Sequence, residues 1–144
     1  PFCIDQGIGV SVFSPLARGI LSGEMSSTRN TTDFFTHQMY NDEASFEIVK
    51  SVNRVAESKN IPMAQVAQAW VLQRPGIKSM LVGADTVDQF RTAIQALDTK
   101  FSADELYEID RNYTPCDLIN DYTSEKRIPR VAREAKGSFV VSEA

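Results

Sequence analysis

The chain is short of cysteine. It has two, Cys3 and Cys116, far apart and without the spacing of a metal knuckle or a redox pair, so reduced thiols in a cytoplasmic protein are expected. No apolar run approaches the length needed to cross a membrane, and no signal-peptide pattern opens the chain, so no membrane partner is expected. An excess of basic residues is absent too: Lys+Arg 15 against Asp+Glu 19 leaves a formal net charge of −4. That balance argues against a nucleic-acid partner. An initiating methionine is also missing. Pro1 comes first, and Phe2-Cys3-Ile4 reads as the end of an element already under way, so the chain is expected to begin inside something larger.

What is present suits one globular domain of ordinary size: 144 residues, 42% hydrophobic and 24% charged. The organising stretch is Gly7-Ile8-Gly9-Val10-Ser11-Val12-Phe13-Ser14-Pro15-Leu16-Ala17-Arg18-Gly19. Val10, Val12 and Phe13 favour a short buried strand, and Pro15, lacking an amide hydrogen, ends its ladder. Free backbone N–H groups, the Ser14 hydroxyl, the Arg18 guanidinium and Gly19 are then expected just past the strand's carboxyl end. In α/β proteins that is where ligands bind, and such a donor cluster suits a phosphate. On spacing alone, the same residues also suit a strand followed by an ordinary surface turn.

The segment from Glu24 to Asn41 is polar and irregular, and reads as a lid, a binding loop or a disordered connector. Helical periodicity predicts a helix over Asp42–Asn60, with Phe46, Val49, Val52 and Ala56 on one face and Asp42 and Glu43 at its amino end. Pro62 suits the first turn of a second helix carrying Met63, Val66, Ala67, Trp70 and Val71, which stops before Pro75-Gly76. Ser79 to Val82 reads as a buried parallel strand. Thr86 is the expected N-cap of a third helix whose apolar side is Val87, Phe90, Ile94 and Leu97. Ser102-Ala103-Asp104-Glu105 is a capping box opening a short helix with Leu106 and Ile109 inside. Beyond it lies a polar tail in which Arg127, Arg130, Arg133 and Lys136 form a solvated basic face.

The order is that of β/α units, and two parallel strands make no stable sheet alone. Along most of its length the chain resembles the aldo-keto reductase family. Gly7 to Gly19 is similar to that family's seventh barrel strand and cofactor turn, and Met63-Ala64-Gln65-Val66-Ala67-Gln68-Ala69-Trp70-Val71-Leu72 to its seventh helix. Leu81-Val82-Gly83-Ala84 with Gln89 resembles the eighth strand and adenosine-binding turn. Leu97 and Phe101 to Leu106 resemble the closing segment. A phosphate-binding piece of an unrelated barrel shares the turn logic but leaves the other matches as coincidence.

The resemblance implies an α/β fold: the C-terminal portion of a (β/α)8 TIM barrel, with the last two β/α units over residues 1–113 and a C-terminal tail over 114–144. It implies reduction of aldehydes and ketones by hydride transfer, with NADP (NADPH) as cofactor and NAD as the alternative, and a small carbonyl substrate in a complete barrel. The family's Asp, Tyr, Lys and His tetrad comes from earlier strands. His37 and Tyr40 do not match it, so no catalytic residue and no metal site is expected here. A non-catalytic truncated fragment or nucleotide-binding module of the same descent is the alternative, and self-association is expected if the chain is truly truncated.

Cofactor contacts implied by the resemblance are Phe13 near the nicotinamide, Ser14, Leu16, Ala17 and Gly19 along the pyrophosphate and ribose, Arg29 at a phosphate, and Gly83, Asp85 and Gln89 at the adenosine end. Some residues depart from the family pattern. Glu24 stands where many relatives have Lys, Asp85 where a small polar or basic residue is usual, and Thr92-Ala93 replace a common Glu-Asn pair. Two carboxylates near a 2′-phosphate repel it, so weakened preference for NADPH is expected; the alternative is that both acids point into solvent and leave the preference unchanged.

Overall fold

Residues 1–23, 36, 39–40 and 43–113 are described in the computed structural model. A single helical turn, α1 (Phe2–Asp5), leads into strand β1 (Val10–Val12), and a 3-10 segment follows at Ala17–Ser22. Next come helices α2 (Glu43–Lys59) and α3 (Met63–Leu72), strand β2 (Ile77–Met80), and helices α4 (Val87–Gln95) and α5 (Ala103–Asp110). Arg29, Asp42, Cys116 and the whole tail from 114 to 144 lie outside the described residues.

The helices begin where local chemistry places them. Pro62 stands at the N-cap of α3 with an extended ψ of 143°, just outside the first turn, and its carbonyl accepts the Gln65 and Val66 amides. Thr86 caps α4 by accepting the Gln89 amide, and Ser102 and Glu105 form a reciprocal capping box on α5. The Glu105 carboxyl is held below its ordinary value by the Ser102 backbone N–H and then by the Lys59 ammonium, 2.9 Å away.

β1 and β2 pair in parallel, with Val10 opposite Ile77, Ser11 opposite Ser79 and Val12 opposite Met80. Lys78 is the extra residue of an irregularity between the first two pairs, and the Ser11 and Ser79 hydroxyls bond across the strands. The second strand therefore lies two residues earlier than the apolar run Ser79–Val82 suggests. Pairing with β1, not hydropathy, decides its position, and the ladder ends with the Leu81 amide donating to the Val12 carbonyl. Neither strand is buried as expected: Val10 and Val12 of β1 and Ile77 and Met80 of β2 are half-buried, and Leu81 just past β2 is exposed. Before β2 the chain turns at Gly76 with φ +86°, where a Cβ would also lie 3.0 Å from the Ile4 side chain. Only glycine meets both demands without strain.

The core sits among α2, α3 and α5. Val52, Val55, Ala56, Val66 and Ile109 are buried together, with Ile48, Met63, Trp70 and Phe101 packed around them. Trp70 donates to Asp110 at 2.7 Å, and Arg74 stacks over the indole at 4.2 Å while pairing with the same carboxylate. Trp70 thus has the packing role its place on the apolar face suggests. On α4 the expected inward face is reversed. Val87, Phe90, Ile94 and Leu97 are exposed, while Ala93 and Ala96 are buried, because α4 meets α3 through its small residues and nothing described covers the large ones.

Candidate functional site

The chain leaves β1 through a turn of unusual backbone. Ser14 (φ 53°), Ala17 (φ 48°) and Arg18 (φ 59°) all adopt the left-handed region, followed by Gly19 at φ 101°. Such a conformation costs an L-residue on the order of 1 kcal/mol, and strain of this kind gathers at binding and catalytic sites. Internal bonds hold the turn: the Ala17 amide donates to Ser14 at 3.1 Å, the Gly19 and Leu21 amides donate to Leu16 at 2.9 and 3.1 Å, and the Ser22 hydroxyl donates to Gly19 at 2.6 Å. The expectation of free backbone amides is therefore corrected at Ala17 and Gly19, whose N–H groups are spent closing the turn.

The turn after β2 is built differently. Thr86 caps α4, and the Gln89 carboxamide reaches back to accept the Asp85 amide at 2.8 Å. That bond ties the Gly83–Asp85 loop to the helix it precedes.

Both turns open onto one cavity of about 510 Å³. Ser14, Leu16, Arg18 and Gly19 line it from the first turn, and Gly83 and Asp85 from the second. Gln89 and Thr92 contribute from α4, and Ala64 and Gln68 from α3. A cavity of this size suits a nucleotide-sized ligand. Its donors, a guanidinium with hydroxyls and carboxamides, suit phosphate and sugar oxygens.

Of the residues expected at a site, Ser14, Leu16, Gly19, Gly83, Asp85 and Gln89 come together around this cavity. Ala17 instead lines a neighbouring apolar cavity of about 220 Å³ with Trp70 and Ile109. Phe13 lines neither and is 80% exposed beside Ser14, and Arg29 lies outside the described residues. Ser22, Ala64 and Gln68 were missed. The available signal was Gln68 itself, a carboxamide set among the apolar residues of α3. Among the described residues no three His, Cys, Asp or Glu side chains gather as a metal site, and no helix is long and apolar enough to cross a membrane.

The sequence model for the aldo/keto reductase family matches residues 1–114. The chain belongs to the aldo/keto reductase family. Among curated proteins it is similar to versiconal hemiacetal acetate reductase of Aspergillus parasiticus, 31% identical over 80% of this chain and 35% of that protein. L-glyceraldehyde 3-phosphate reductase of Escherichia coli O157:H7 is 31% identical over 79% of this chain and 36% of its own length. A probable voltage-gated potassium channel subunit beta of Arabidopsis thaliana is 29% identical over 68% and 32%. The chain thus spans about a third of the length of these curated relatives. Aldo/keto reductases generally use NAD(P)H and bind carbonyl substrates, and the family barrel agrees with the α/β character seen here.

Proposed function

We propose that the chain is the C-terminal, cofactor-binding part of an NAD(P)H-dependent aldo/keto reductase that reduces aldehydes or ketones by hydride transfer. Residues 1–113 supply its last two β/α units, residues 114–144 are a C-terminal tail, and the parent enzyme works in the cytoplasm. The observation that carries this reading is the shared cavity, with two strand-end turns converging on one polar space. Exposed Phe2, Phe13, Leu81 and Phe90 support the partial barrel, since a complete one offers strands and helices to cover such surfaces. In this reading Ser14 and Arg18 hold the pyrophosphate, while Leu16, Ala17 and Gly19 shape the turn beside it. Phe13 presents its open ring towards the nicotinamide, Arg29 reaches a phosphate, and Gly83 and Gln89 hold the adenosine end. The bound dinucleotide supplies the hydride; the catalytic tetrad comes from outside this chain.

Asp85 tunes the choice of cofactor. Arg18 lines the cavity on the first-turn side and Asp85 on the other, so a 2′-phosphate placed at the second turn meets a carboxylate. A ribose 2′-hydroxyl placed there can instead donate to it. Equilibrium binding of NADPH and NADH to the full-length protein tests both points. Micromolar binding of either dinucleotide, lost in Ser14→Trp, supports the site, whereas a folded protein that binds neither overturns it. Preference for NADPH over NADH above about a hundredfold would sink the role given to Asp85.

The alternative of a non-catalytic module rests on His37 and Tyr40, which do not match the tetrad. The intact mass of the natural polypeptide separates the two. About twice the 16.0 kDa of this chain or more supports the reductase; a mass near 16.0 kDa, with self-association, supports the module.

A further inference from the structure

We infer that the uncovered face of the sheet is a cation-bearing inner wall of the barrel, where Lys78 pairs with an Asp or Glu side chain from a strand outside this chain. The inference rests on the partial-barrel reading above and extends it from the cofactor turns to the opposite end of the sheet. Burial separates the two faces. Val10 and Val12 of β1 and Ile77 and Met80 of β2 are half-buried on one side, where β2 packs on α3. Ser11, Lys78 and Ser79 are exposed on the other. By the alternation of a strand, Gly9 shares that second face with Ser11. The helices of a (β/α)8 barrel ring its outside, so the face turned away from α3 is the interior.

The irregularity at Lys78 is what turns a charged residue towards that side. It sets Lys78 and Ser79 on one face: the Ser79 hydroxyl bonds to Ser11, and the Lys78 stem lies across Gly9, where an added Cβ would come 2.7 Å from Lys78 Cγ. Only a residue without a Cβ lets the stem cross β1 there. The chemistry of this patch is one-sided. Lys78 brings an ammonium, and Ser11 and Ser79 use one hydroxyl hydrogen between them and keep the other to donate. Neither β1 nor β2 contains an acid, and α3, on the far side, has no titratable side chain. Asp5 of α1 accepts from Gln6 at 2.6 Å, and Arg74, just after α3, pairs with Asp110. Among the described residues Lys78 takes part in no ion pair. An ammonium enclosed in a barrel needs a counter-charge, and the side chain that only accepts and carries that charge is a carboxylate.

The test uses the full-length protein. In native wild type, acetylation with acetic anhydride followed by peptide mass spectrometry should modify Lys78 at least about tenfold more slowly than Lys50, whose side chain is 62% exposed. In Lys78→Met the stranded carboxylate should lower the melting temperature by about 5 °C or more near neutral pH. That deficit should shrink to about half or less at about pH 5, where the unpaired buried acid takes up a proton. Reaction of Lys78 as fast as Lys50, or an unchanged melting temperature in the variant, overturns the pairing. A deficit equal at both pH values overturns it too, and phosphate that raises the melting temperature of wild type but not of the variant then identifies a free anion as the occupant. If the variant does not fold, acetylation of wild type decides. A natural polypeptide near 16.0 kDa overturns the barrel reading and the pairing together, whereas a longer one with a reactive Lys78 overturns the pairing alone.

Discussion

Helices α2, α3 and α5 close around Val52, Val55, Val66 and Ile109, whereas α4 and the sheet leave Phe13, Leu81, Phe90 and Ile94 open to solvent. Polar groups divide the same way. On the closed side Trp70, Arg74 and Asp110 satisfy one another, Lys59 pairs with Glu105, and Asn112 donates to Ser51 at 2.9 Å. On the open side lie the left-handed Ser14, Ala17 and Arg18. Stability therefore gathers in the helical layer. The strained backbone gathers in the turn after β1, where a ligand can repay its cost.

The sharpest way to break this contrast is to truncate one large side chain on each side. Trp70→Ala removes the indole, its bond to Asp110 and the stacking of Arg74, and should cost about 3 kcal/mol in denaturant unfolding. Phe90→Ala, with 57% of Phe90 exposed, should cost less than about 0.5 kcal/mol in this chain. In a complete barrel, where that ring is covered, the same change should cost about 3 kcal/mol. Equal losses in both proteins would mean that the open face has no missing partner.

Ser102→Ala comes next, with an expected loss of about 1 kcal/mol from the cap of α5. The box also sets a pH dependence. Because Glu105 is held below its ordinary value of 4.5, it contributes stability that is fully present above that value and lost as pH falls through its lowered folded value. The gap between wild type and Glu105→Gln should therefore be widest near neutrality and shrink below pH 4.5. A gap that stays constant down to acid pH contradicts the pairing. Ala17→Gly acts in the opposite direction. Relief of a left-handed alanine exceeds the added chain entropy, so unfolding free energy should rise by about 0.5 kcal/mol while dinucleotide affinity falls. The smallest effect is Arg91→Ala. Its pair with Asp88 is 70% and 88% exposed, and less than about 0.5 kcal/mol should be lost.

The same division decides how much could be read from the sequence. Where neighbours in sequence are also neighbours in space, the pattern was sufficient: Val49, Val52 and Ala56 on the buried face of α2, the Thr86 cap and the Ser102–Glu105 box stand as expected, while Phe46 on the same helix is exposed. Where a distant partner decides, it was not. β2 shifts two residues to pair with β1, and the apolar stripe of α4 faces outward because hydropathy cannot report whether a partner is present. At the site, residues next to a recognisable turn were legible: Ser14, Leu16, Gly19, Gly83, Asp85 and Gln89 meet at one cavity. Ala64 and Gln68 were not, because they reach it from the middle of a helix whose neighbours are set by tertiary packing.

Hydrogen exchange of the full-length protein with and without NADPH tests the division of labour most directly. Without ligand, amides of α2, α3 and α5 should be the slowest and those of residues 14–22 and 81–89 among the fastest. Protection that rises on NADPH addition mainly in those two turns, and little in the helical core, is the expected result. Slow exchange in the turns without ligand, or protection that appears elsewhere and leaves both turns unchanged, contradicts a binding site at the strand ends.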